Sequence, residues 1–138
     1  MDWITKWVAV GNIDDAMHPE VLKTEGITAI LSLIGFPTFF PSDGFAWHSV
    51  ELIDGPGNPM ADIWQALHIL EDLQKTHRVL VHCSEGRSRS PFIIGCYLAW
   101  KNGLALDQAV AQVRRCHPDT AIDENLMDMF PSSSVCET

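Results

Sequence analysis

Apolar residues along the chain fall into two kinds of block: short continuous runs, and longer stretches with helical spacing. Residues 6–10, 28–34 (TAILSLI), 45–52 (FAWHSVEL) and 79–82 (VLVH) are the short runs and read as strands. The second is almost wholly apolar, as expected of a strand covered on both faces. Between them lie predicted helices. Residues 14–24 form the first, with Asp14 as its cap and Gly26 as its stop. Residues 60–76 repeat Ile63, Leu67, Leu70 and Leu73 on one side, with Asn58-Pro59 as cap and first turn. Residues 90–102 are apolar nearly all round, which predicts a buried central helix ended by Gly103. Residues 106–116 and a last segment from Asp123 to Phe130 complete the set. Strands alternating with helices predict an α/β fold with a central, mostly parallel sheet flanked by helices. In such sheets the active site lies at the carboxyl ends of the strands.

The intervening segments are marked by Gly and Pro. Residues 35–44 (GFPTFFPSDG) read as a loop whose Phe36, Phe39 and Phe40 either enter the core or form an apolar rim beside a site. Residues 53–59 (IDGPGNP) are a dense cluster of breakers. Nothing divides the 138 residues, so one domain is expected over residues 1–131, followed by a short flexible tail over 132–138.

Composition narrows the classes. With 46% hydrophobic and 20% charged residues the chain has an ordinary globular balance. No apolar run is long enough to span a bilayer, and the N-terminus lacks a basic start and an apolar stretch. Four cysteines without a CxxC pair read as reduced thiols, which points to the cytoplasm. A net charge of -9 disfavours nucleic acid and anionic membrane as partners. A monomer is expected.

The candidate chemistry sits in residues 78–90, RVLVHCSEGRSRS. Cys83 ends a strand, Ser84, Glu85, Gly86, Arg87 and Ser88 turn the corner, and Arg89 leads into a helix. Backbone N–H groups in a tight loop, closed by a helix N-terminus, make an anion-binding hollow. Arg89 adds a planar fork for two oxygens of one phosphate. The same positive field favours the thiolate form of Cys83, and Ser90 is placed to hydrogen-bond the sulfur. Gly86 fits where the loop needs an unusual dihedral or a close backbone approach. Glu85 is the one loop residue that phosphate binding does not require, and it is the first place to look for a substrate preference.

A thiolate attacking a phosphate monoester needs an acid for the leaving group and a base for the water that follows. Asp54 suits both roles. It follows a strand, stands 29 residues before Cys83, and has Gly55 and Gly57 beside it. Asp62 is the alternative, although a place in the first turn of a helix explains it through the macrodipole. His82-Cys83 and Cys116-His117 lack zinc spacing, so no metal is expected, and no nucleotide motif or other cofactor signature is present. His68 and His77 read as surface or packing residues, and Cys96 as a core cysteine.

The string HCSEGRSRS resembles the signature loop of the cysteine-dependent protein tyrosine phosphatase superfamily, and the short chain is most similar to the dual-specificity phosphatases. The resemblance implies that fold over most of the chain. It implies Cys83 as nucleophile, Arg89 as phosphate and transition-state binder, Asp54 as general acid and base, and Ser90 as the group that eases departure of the sulfur. It places His82 and Asn125 behind the site as supporting residues. The implied activity is hydrolysis of phosphotyrosine, and of phosphoserine or phosphothreonine, in a phosphorylated protein or peptide through a phosphocysteine intermediate. At this length there is little room for the added loop that deepens the pocket in the longer tyrosine-specific enzymes. Two alternatives stand beside it: the same fold acting on an inositide, an RNA 5′ end or a sugar phosphate, or a phosphate-binding pseudophosphatase. Retention of Cys83, Arg89 and Asp54 argues against the last.

Overall fold

The computed structural model describes residues 1–35 and 44–130. The aromatic loop with Phe36, Phe39 and Phe40, and the tail over 132–138, lie outside the described residues. Five strands form one sheet in the order β1-β2-β5-β3-β4. They are β1 (Asp2–Trp3), β2 (Val8–Gly11), β3 (Ala29–Ser32), β4 (Ala46–Ser49) and β5 (Val79–His82). Strands β2, β5, β3 and β4 run parallel. Among the described strands only β1 is antiparallel, pairing Asp2 with Val10 and Trp3 with Ala9. A two-residue strand has no periodicity to read, so the sequence did not reveal it.

The register brings the working ends together. Gly11 of β2 and Ser32 of β3 both stand opposite His82 of β5. The residue after His82 therefore emerges at the carboxyl edge, in the middle of the sheet. Strands β2, β3 and β5 are buried along their whole length, as their unbroken Val, Ile, Leu and Ala runs require.

The helices are α1 (Ile13–Ala16), α2 (Pro19–Thr24), α3 (Met60–Leu73), α4 (Arg89–Asn102), α5 (Leu106–Cys116) and α6 (Glu124–Met127). Helix α4 is the buried one: its Phe92, Ile93, Ile94, Cys96 and Ala99 are all in the core. It packs against α3, α5, β2 and β5, and it stops at Gly103, whose φ of +67° provides the left-handed turn. Helix α5 spans the predicted residues.

Four expectations need correction. The single helix over 14–24 is two, because Pro19 starts a new helix and pulls His18 out of helical geometry. The cap of α1 is Asn12, not Asp14. The Asn12 side chain accepts from the Asp15 N–H at 2.8 Å, and the Asp15 carboxylate accepts from the Asn12 N–H at 2.9 Å. Nor does Asn58 cap α3, since Pro59 precedes that helix with no side-chain cap. The last helix is also shorter than 123–130, although Asp123 does cap it by accepting from the Asn125 N–H at 2.8 Å.

Candidate active site

A cavity of about 320 Å³ opens at the carboxyl edge of the sheet, lined by Asp54, Cys83, Ser84, Glu85, Arg87, Ser88, Arg89 and Ala121. Strand β5 delivers Cys83 to it with 2% of its surface exposed. The Cys83 Sγ lies 3.2 Å from the Ser90 Oγ, and that hydroxyl lies 3.3 Å from the Gly11 carbonyl, to which it can donate.

The loop that follows is held by its carbonyls. Ser84 C=O accepts from the Ile13 N–H at 3.1 Å, and Arg87 C=O accepts from the Ala121 N–H at 2.7 Å. Gly86 C=O accepts from the His117 ring at 2.7 Å. In a planar trans peptide the C=O and the next N–H point opposite ways. Three carbonyls bound to the protein body therefore turn the N–H groups of Glu85, Arg87 and Ser88 to the other side. Such a row of N–H groups at a helix start is an anion-binding arrangement.

Gly86 is obligatory here on two counts. Its φ is +73°, and a Cβ would come within 2.8 Å of the Gly11 carbonyl carbon and oxygen. The loop rests directly on the backbone at the end of β2.

Arg89 is half-buried at the head of α4. Its Nη1 donates to the Leu52 carbonyl at 3.2 Å, which ties the signature loop to the segment carrying Asp54. Its Nε is shielded from solvent and has no acceptor among the described residues. A buried guanidinium N–H without an acceptor is costly unless an oxyanion meets it.

Asp54 is exposed and borders the same cavity. Its segment is clamped by Asn58, which is 7% exposed. The Asn58 Oδ1 accepts from the Ile53 N–H at 2.7 Å, and its Nδ2 donates to the carbonyls of Ile53 at 2.8 Å and Gly55 at 3.2 Å. Asn58, expected as a helix cap, forms this clamp instead.

His82 lies wholly buried beneath Cys83 and faces the Cys83 carbonyl through Nδ1 at 3.3 Å. Burial pushes its pKa down to about 4 from the usual 6.5, while the contact with the Cys83 carbonyl and the charge of Asp15 oppose the shift. The ring is thus neutral in the folded protein at neutral pH. Above about pH 6.5 neither folded nor unfolded chain protonates this histidine. As pH falls below that, the unfolded chain takes a proton that the folded one refuses. Stability therefore declines from about pH 6.5 and the loss levels off near pH 4, totalling about 3 kcal/mol. Urea unfolding across that range should show a shallower acid decline in His82→Asn than in wild type. Equal slopes would contradict the assignment.

Of the remaining residues singled out in the sequence, Asn125 is exposed in the first turn of α6 and does not line the cavity. Asp62 sits in the first turn of α3, also outside it. Residues that sequence reasoning missed include Ala121, Asp123 and His117. The Asp123 N–H donates to the Ser88 Oγ at 2.9 Å, so the segment after α5 braces the loop at Ser88 as well as at Arg87. Among the described residues no group of three His, Cys, Asp or Glu side chains converges to hold a metal ion.

The arrangement can cradle a tetrahedral oxyanion on inward N–H groups and the Arg89 fork, with a sulfur at its base and a carboxylate at its mouth. Residues 9–130 match the family described as dual specificity phosphatase, catalytic domain. The chain is 35% identical over 111 residues to the protein-tyrosine-phosphatase MKP1 of Arabidopsis thaliana, covering 78% of this chain and 14% of that protein. It is 28% identical over 120 residues to the protein-tyrosine-phosphatase IBR5 of the same plant, covering 86% and 45%. The chain thus spans less than half the length of these two relatives. The crystal structure of human DUSP28 superposes with a TM-score of 0.78 at 22% identity, over 92% of this chain and 87% of that one.

Proposed function

The chain belongs to the dual specificity phosphatase family, and on that premise we propose that it hydrolyses phosphotyrosine and phosphoserine or phosphothreonine in protein substrates. The observation that carries this reading is the convergence of the Cys83 sulfur, the Arg89 fork and the Asp54 carboxylate on one cavity. Cys83 attacks phosphorus in line with the ester oxygen. Arg89 and the loop N–H groups hold the three equatorial oxygens as charge builds on them. Asp54 gives its proton to the departing oxygen, then takes one from the water that attacks the phosphocysteine. Ser90, within reach of the sulfur, stabilises the thiolate as it leaves.

No metal or cofactor has a part in these steps. No helix among the described residues is long and apolar enough to cross a membrane. The four cysteines lack a CxxC pair and read as reduced thiols, and on that ground we assign the protein to the cytoplasm, as a monomer. Residues 1–131 serve as one catalytic domain in this reading. His82 supports Cys83 from behind, and Asn125 plays at most an indirect part from its exposed position.

Among the described residues the cavity lining includes no aromatic side chain that would wall in a tyrosine ring, which supports activity on both ester types. The test is a panel of phosphotyrosyl and phosphothreonyl peptides with a chelator present. Release of phosphate from both, without loss to the chelator, is the expected result. Hydrolysis of inositol or sugar phosphates with neither peptide cleaved would contradict the reading.

A further inference from the structure

His117 follows α5 and is 7% exposed. Its Nε2 lies 2.7 Å from the Gly86 carbonyl oxygen, and its Nδ1 lies 2.6 Å from the Asp2 Oδ2. Both partners are acceptors: a backbone carbonyl and a carboxylate. A neutral imidazole has only one N–H, so satisfying both contacts places a proton on each nitrogen. The ring is then a cation paired with Asp2. Its own backbone is fixed as well. The His117 N–H donates to the Val113 carbonyl at 2.8 Å, and the His117 carbonyl accepts from the Thr120 N–H at 3.1 Å and the Thr120 hydroxyl at 2.7 Å.

The consequence falls on the loop. Gly86 is wedged between the backbone at the end of β2 and this ring. With its carbonyl pinned by the imidazolium, the Gly86–Arg87 peptide must present the Arg87 N–H away from His117. A fixed cation behind that peptide also adds to the positive field on the loop. We propose that His117, charged and paired with Asp2, is a positioning residue for the anion loop, orienting the Gly86–Arg87 peptide toward the oxyanion and tying the loop to the N-terminal strand. The proposal rests on the reading of this loop as a phosphate binder.

Two measurements test it. In wild-type protein at neutral pH, nitrogen NMR should show protons on both ring nitrogens of His117. A single protonated nitrogen overturns the proposal without any variant being made. Binding of inorganic phosphate, measured by calorimetry, should weaken about tenfold in His117→Gln, the size of one charge-assisted hydrogen bond to the loop. Asp2→Asn should weaken it less. The double variant should bind no more weakly than His117→Gln alone, because both changes remove one device. Wild-type affinity in His117→Gln, or additive losses in the double variant, overturns the proposal. Phosphate binding that depends on His117 in a protein that cleaves no phosphopeptide would uphold this role and contradict the protein phosphatase reading instead.

Discussion

Replacing Cys83 by serine is expected to lower kcat by about 10⁴-fold or more while inorganic phosphate still binds. The sulfur sits at the end of β5, almost wholly enclosed, with the Ser90 hydroxyl 3.2 Å away. A serine hydroxyl is nearly the same shape, so the loop keeps its carbonyl anchors at Ile13, Ala121 and His117. What changes is the nucleophile. Among the described residues a hydroxyl at this position has no adjacent base: His82 faces the Cys83 carbonyl from the buried side, and Ser90 is itself a hydroxyl. Steady-state kinetics on an aryl phosphate, with calorimetry of phosphate binding, separates the two effects. A Cys83→Ser protein that still turns over would contradict the mechanism. One that also loses phosphate binding would mean that the sulfur holds the loop together.

Asp54→Ala is expected to cost about 10² to 10³-fold in kcat on a phosphoseryl or phosphothreonyl peptide, the range of a positioned general acid. An alkoxide is a poor leaving group and needs its proton early. A nitrophenolate leaves without one, so the first step on nitrophenyl phosphate should change little. That dependence on the leaving group distinguishes an acid from a residue that only shapes the cavity. Asp54 is on the surface, and the segment around it is held by Asn58 rather than by Asp54 itself, so the substitution should leave stability near wild type. An equal loss in the first step on both kinds of ester would move the acid role elsewhere, and among the described lining residues Glu85 is the other carboxylate.

The sequence made some of this legible for definite physical reasons. Helix α5 was readable because burial of one face imposes a period on the chain, the strand VLVH because it is a continuous apolar run, and α4 because it is buried nearly all round. The need for glycine at position 86 was readable from its place between a strand and a helix, and its φ of +73° agrees with the expectation. What stayed hidden depends on partners far apart in the chain or on competition between neighbouring signals. Asn12 and Asp14 are both good caps, and only the reciprocal bonds with Asp15 decide between them. Asn58 before Pro59 has the form of a helix start, yet its side chain turns back to carbonyls on the Asp54 segment. Asp2 and His117 carry no local pattern at all. Their contact exists only because β1 lies along the sheet edge and α5 ends beside the loop.

In the proposed mechanism Cys83 carries the phosphoryl group. The Asp54→Ala variant, given nitrophenyl phosphate, should load the cysteine readily but release it slowly for want of a base. Rapid acid quench, protease digestion and mass spectrometry should then find one phosphoryl group on the peptide containing Cys83, attached through sulfur. Turnover with that peptide unmodified, or with phosphate attached to another residue, would contradict the account.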